Sequence, residues 1–200
     1  MLVSLLQVAG LNTPVVNDAS LTLAAGECVC ISGPSGAGKS LLLRAIADLD
    51  PHQGSVQLDG RSAESFAPCD WRRQVGLLPA ESQWWGEHIG EHFSSVDEKA
   101  LEALGFTRQV MEWQVARCST GERQRLALLR LLCNQPRVLL LDEPTASLDP
   151  TAVARVEAIV ARYRQEQGAA VLWVSHDPAQ IARVADRRYT ISGGRLEEVS

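Results

Sequence analysis

Apolar and polar positions change rhythm several times along this chain. Val3 to Val8 and Ser20 to Leu23 alternate, as strands with one wet face do. Gly26-Glu27 is a turn, and Cys28 to Ser32 is a short apolar run that reads as a buried strand. A glycine-rich loop follows it, and Ser40 to Asp48 then reads as an apolar helix. Ser55 to Leu58 and Gln74 to Leu78 are further strands. From Trp84 to Cys133 the pattern is mostly helical, carried by Leu101, Leu104 and the stretch Glu122 to Leu132. Arg137 to Leu141 is a buried strand that runs into acids. Pro150 opens a helix, where its missing N–H costs nothing. Val153, Val156, Ile159, Val160 and Tyr163 form that helix's apolar stripe, and Gly168 ends it. Ala170 to Ser175 is another buried strand, and Arg188 to Ile191 pairs with Leu196 to Val199 around Gly193-Gly194. Strands alternating with helices imply an α/β fold with a mostly parallel sheet.

The 200 residues, 46% of them hydrophobic, suffice for one domain with a sizeable core, so residues 1–200 read as a single unit. The formal net charge of -5 argues against a partner held mainly by nucleic-acid phosphate. Five cysteines are an odd number, and their spacing fits neither a metal site nor a disulfide framework. They read as reduced thiols, with Cys28 and Cys30 on one side of a strand as small hydrophobes. Met1 to Gly10 lacks the basic start of a signal peptide. The longest uninterrupted apolar run, Ala169 to Val174, falls far short of the ~20 residues of a membrane-spanning helix. If the protein serves a membrane, the pore belongs to another chain.

Gly33-Pro34-Ser35-Gly36-Ala37-Gly38-Lys39-Ser40 fits GxxxxGK[ST] at each fixed position, after a strand and before a helix. Glycines let backbone N–H groups turn inward around anionic oxygens, and the helix N-terminus adds partial positive charge. Lys39 is expected to reach the β- and γ-phosphates, and the Ser40 hydroxyl to ligate Mg²⁺. This loop signifies a nucleoside triphosphate, and by itself it does not separate kinases, GTPases, motors and transporter ATPases. Val138 to Leu141 finishes in Asp142-Glu143, and ligands in α/β sheets sit at the carboxyl ends of strands. Asp142 is therefore a candidate Mg²⁺ holder, and Glu143, pointing elsewhere, a candidate to polarise the attacking water.

Cys118-Ser119-Thr120-Gly121-Glu122-Arg123-Gln124-Arg125 resembles the LSGGQ signature of ABC (ATP-binding cassette) transporter ATPases and the RQR segment after it. Asp142-Glu143-Pro144-Thr145 resembles that family's Walker B end, Ala146-Ser147-Leu148-Asp149 its D-loop, and His176 its switch histidine. A lone histidine is ordinarily structural. Its place after a buried strand, downstream of the other motifs, favours the switch. These motifs stand in the family's order and cover nearly the whole chain.

The resemblance implies a P-loop NTPase core of ABC type, an N-terminal antiparallel β-subdomain and a small helical subdomain at about residues 84–133. It implies an ATP hydrolase with ATP and Mg²⁺ as ligands. The nucleotide-binding residues would be Gly33, Pro34, Ser35, Gly36, Ala37, Gly38, Lys39, Ser40, Ser119, Gly121 and Asp149. Ser40 and Asp142 would hold the metal, with Glu143 and His176 catalytic. It implies a homodimer in which Ser119 and Gly121 of one copy cover the ATP held by Lys39 of the other. It also implies an integral membrane permease as partner, no nucleic acid, and a place on the cytoplasmic face of the inner membrane. The stretch Arg164 to Asp177 looks similar to small bacterial cassettes linked to iron export.

Several positions depart from the family's pattern. The signature's leading Leu is Cys118, its first Gly is Thr120 and its Gln is Glu122. The Q-loop glutamine is Ala80, with Gln83 a candidate substitute. Spacing places the adenine-stacking aromatic at about Leu11. Trp84 and Trp85 lie where the family meets a permease helix, and serve equally well as core. Two alternatives stand beside the transporter subunit. A chromosome or repair ATPase needs long insertions, and Lys39 to Ser119 spans only 80 positions. A regulatory module that holds ATP without hydrolysing it fits Ala80 but not Glu143.

Overall fold

The computed structural model describes residues 4–199, so Val3, expected to open the first strand, lies outside the described residues. Strands β1 (Ser4–Asn12), β2 (Ala19–Ala24), β4 (Gln53–Leu58) and β5 (Arg61–Ser62) form an antiparallel sheet in the order β2-β1-β4-β5. A second sheet has the order β10-β9-β3-β8-β7-β6, built from β3 (Cys28–Ser32), β6 (Val75–Leu78), β7 (Val138–Asp142), β8 (Ala170–Val174), β9 (Arg187–Ser192) and β10 (Arg195–Val199). All its pairings are parallel except β9 with β10.

The central strands β7 and β8 are buried along their whole length, which is why they read as unbroken apolar runs. Their side chains alternate between two cores. Val138, Leu140, Leu172 and Val174 pack with β1, β2 and helix α1 (Lys39–Ile46). Leu139, Leu141, Val171 and Trp173 face the other way, onto α3 (Glu98–Ala103), α4 (Thr120–Cys133) and α5 (Pro150–Gln167). Cys28 and Cys30 both belong to this second core, as their i, i+2 spacing requires. Pro150 occupies the first turn of α5, and Gly168 ends it with φ 64°.

Two parts differ from the sequence expectation. Between Trp84 and Cys133 only α3 and α4 are α-helical. The rest is loop with single 3-10 turns at Ile89–His92, Arg108–Glu112 and Val115–Arg117. The loop is organised by a side chain instead of a helix ladder. His92 Nε2 accepts from the backbone N–H groups of Trp85 at 3.1 Å and Gly86 at 2.9 Å. Helices α2 (Pro68–Gln74) and α6 (Pro178–Val184) carry no periodic signal in the sequence, because seven residues give too short a window for helical periodicity. Trp71 fixes α2 by donating its indole N–H to Ile46 O at 3.0 Å.

Candidate nucleotide site

The loop from β3 to α1 wraps around the space where the motif predicts phosphates. Gly33 has φ 142°, and a Cβ there would lie 2.5 Å from the Ile191 carbonyl oxygen. Gly38 is left-handed with φ 97°, and a Cβ would meet Val16 at 2.7 Å. Both positions thus exclude any side chain, on conformational and steric grounds. Lys39 is 6% exposed. Its ammonium folds into the loop and donates to the carbonyls of Gly33 and Pro34, each at 2.9 Å. Burial lowers its pKa, against the opposing pull of Glu143 and Asp142.

Asp142 ends β7 and is 7% exposed. Desolvation raises its pKa, while the neighbouring Ser40 hydroxyl and the Lys39 charge work the other way. A hard carboxylate and a hydroxyl, side by side under a phosphate loop, fit the oxygen-only preference of Mg²⁺, which takes one or two carboxylates plus phosphate oxygens. Glu143 follows with φ 46°, a conformation that costs a side-chain-bearing residue about 1 kcal/mol or more. That backbone turns its side chain toward His176, whose Nε2 lies 2.8 Å from Glu143 Oε1. Both residues remain part-exposed, at 32% and 43% of their side-chain surface, so a water can reach them.

Ser119 caps the 14-residue α4 and is exposed. Its hydroxyl accepts from Glu122 N at 3.2 Å and donates to Glu122 Oε2 at 2.9 Å, and its backbone N–H reaches the same oxygen at 2.8 Å. A Cβ at Gly121 would sit 3.0 Å from Leu148 and 3.1 Å from the Ser147 carbonyl oxygen, so the signature turn packs directly on the D-loop of its own chain. Asp149 accepts from the backbone N–H groups of Thr151 at 2.9 Å and Ala152 at 3.0 Å, which makes it the N-cap of α5.

Leu11 is 0% exposed and has no face to offer a base. Its place in the antiparallel core overrides the spacing from the phosphate loop. Val15, 39% exposed and packed beside Gly38, is the apolar side chain that borders the loop. Ala80 is exposed, and the carbonyl of Gln83 is bound by Arg130 at 3.0 Å. Sequence reading missed Gln124, buried in α4, whose Nε2 donates to the Pro79 carbonyl at 2.9 Å and links the signature helix to the Q-loop strand. Its signal was the RQR segment, but spacing does not say what a polar residue at that position touches. Trp84 is part-buried against His92, whereas Trp85 is 76% exposed.

The family model described as ABC transporter matches residues 16–146, from before the phosphate loop into the D-loop. The chain belongs to the ABC transporter family. This cassette is an ATP-binding, ATP-hydrolysing α/β protein of that family, with a mixed sheet beside an antiparallel one. It is 32% identical over 199 residues to the "Probable iron export ATP-binding protein FetA" of Escherichia coli (strain K12), covering 92% of this chain and 88% of that protein. It is 36% identical over 187 residues to the "Aliphatic sulfonates import ATP-binding protein SsuB 2" of Pseudomonas fluorescens, covering 91% and 69%. Among solved structures, a bacterial Atm1-family ABC exporter with ATP bound superposes with a TM-score of 0.82 at 23% identity. That likeness, over 99% of the cassette and 39% of the exporter chain, concerns the fold.

Proposed function

We propose that two copies of this cassette close head to tail on two Mg-ATP and drive a separate membrane permease from the cytoplasmic face. The observation that carries this is the Glu143–His176 pair, 2.8 Å apart and next to the phosphate loop through Asp142. In each site Lys39 and the Gly33–Gly38 backbone grip the phosphates. Ser40 and Asp142 would hold Mg²⁺, which when bound neutralises phosphate charge. His176 donates through Nε2 to Glu143, fixing the carboxylate so that its remaining lone pairs polarise the attacking water. Rate enhancement then comes from positioning and electrostatics. Ser119 and Gly121 of the second copy would cover the γ-phosphate, using an exposed helix N-terminus suited to an anion. As the cap of α5, Asp149 would shape this interface by holding the D-loop. Among the described residues no helix is long and apolar enough to cross a membrane, which accords with a pore supplied by another chain. Trp85, exposed beyond the Q-loop strand, is suited to that contact. The similarity to FetA makes iron export the first cargo to test, by asking which membrane protein co-purifies with the cassette.

Ala80 favours a second reading, a module that retains ATP with little hydrolysis. Phosphate release from the purified protein separates the two. Ala80→Gln is expected to raise Mg²⁺-dependent ATPase activity several-fold, because an amide then stands where the family aids metal and water. An unchanged or lower rate counts against that role. Base contact supplied by Val15, without an aromatic, predicts weak discrimination between ATP and GTP. In competition binding the two nucleotides are expected to differ by less than about tenfold, or about 1.4 kcal/mol. A strong preference for ATP contradicts the assignment.

A further inference from the structure

Next to the Glu143–His176 pair lies a buried polar network with no role so far. Gln180, in the first turn of α6, is 2% exposed, and Ser175 is 5% exposed. Gln180 Oε1 accepts from two hydroxyls, Thr145 Oγ1 at 3.1 Å and Ser175 Oγ at 2.9 Å. Its Nε2 donates to Glu157 Oε1 on α5 at 2.9 Å. Arg183 holds that carboxylate by a fork, with Nη2 at 2.7 Å from Oε1 and Nε at 3.1 Å from Oε2. The amide has one workable orientation, because the flipped one would aim its oxygen at the Glu157 carboxylate.

Thr145 lies two residues after Glu143, and Ser175 one residue before His176. The Ser175 hydroxyl also accepts from the Asp177 backbone N–H at 3.1 Å, so it ties the chain on both sides of His176. One acceptor atom therefore joins the two loops that carry Glu143 and His176. Both loops leave adjacent parallel strands, and the backbone bond from Glu143 N to the Val174 carbonyl, at 3.2 Å, fixes only their roots. Their tips need a further constraint, and Gln180 supplies it.

We propose that Gln180 is a positioning residue for ATP hydrolysis, setting the distance between Glu143 and His176 through Thr145 and Ser175, a role that presupposes the chemistry proposed for those two residues. Gln180 touches neither nucleotide nor water. The phosphate loop does not pass through this network, so nucleotide grip and hydrolysis respond differently to its loss.

Gln180→Ala is expected to lower kcat about tenfold, as a loop displaced by a fraction of an ångström does. The affinity for a fluorescent ATP analogue stays within about twofold, since the Lys39 contacts remain. Gln180→Glu sets two carboxylates against each other at Glu157 and is expected to be at least as impaired. The double variant Glu157→Gln with Gln180→Glu exchanges donor and acceptor along the same line. It is expected to recover kcat to within about threefold of the parent, an outcome that a scaffold needing only packing does not produce. If Gln180→Ala does not fold, Thr145→Val removes one arm alone and is expected to cost about threefold in kcat. Wild-type kcat in Gln180→Ala overturns the proposal. So does a loss of nucleotide affinity equal to the loss of kcat, or a double variant no better than Gln180→Glu. His176→Ala in the same assay separates the levels. If it keeps wild-type turnover, the underlying chemistry fails and the proposal with it; if it is inactive while the Gln180 variants are not, only the proposal fails.

Discussion

Glu143→Gln is expected to reduce ATP turnover by about two orders of magnitude or more while trapping an ATP-bound dimer. The amide has nearly the shape of the carboxylate. Its oxygen can still accept from His176 Nε2, now 2.8 Å from Glu143 Oε1, so the local geometry survives. The loss is charge: a neutral amide does not draw a proton from water. In the proposed closed dimer, removing that charge also removes an anion beside the γ-phosphate, so the closed state would gain while its exit by hydrolysis is blocked. Phosphate release measures the first effect, and size-exclusion chromatography with and without Mg-ATP the second. A variant that stays monomeric with ATP counts against the two-copy sandwich, and one that turns over at the parental rate counts against Glu143 as the water's base.

Lys39→Ala is expected to weaken nucleotide binding by at least about a hundredfold, the equivalent of roughly 3 kcal/mol. Lys39 is 6% exposed, and its ammonium rests on the Gly33 and Pro34 carbonyls. A phosphate would meet that charge where burial partly desolvates it, so the charge–charge attraction is less screened than in water. Without Lys39, Asp142 and Glu143 face the incoming anion with no cation between them. Titration of a fluorescent ATP analogue reads the loss. A circular dichroism melt checks that the fold survives, because the two lost hydrogen bonds serve only the loop. Undiminished affinity excludes this loop as the nucleotide's main grip.

The two variants fail at different stages. Lys39→Ala stops before binding, and Glu143→Gln stops after it. A chain that merely stores ATP responds to the first and not the second.

Much of this site was written locally. The glycines at 33 and 38 serve backbone shapes that only glycine tolerates, so their pattern announces the loop. The apolar run of β7 is continuous because both faces are covered, and the acids after it mark the sheet's functional edge. The apolar stretch from Glu122 to Leu132 announces a helix, and the structure forms it as α4, capped by Ser119 with Glu122. The motifs also stand in the order of the family they resemble.

What lay beyond the sequence were contacts between positions far apart in it. Leu11 looked available for a base until the antiparallel sheet buried it. Glu143 and His176 meet because β7 and β8 pair in parallel with Asp142 opposite Val174, which brings both strand ends to one edge in step. A shift of that register by one residue would turn their side chains apart. Gln180 gives no local sign at all, since an amide on a short helix is ordinary until three partners converge on it. Periodicity and loop chemistry are set by neighbours along the chain, so the sequence determined the elements and the phosphate loop. Which side chains share a proton or a water depends on strand register and helix packing, and those only the folded core decided.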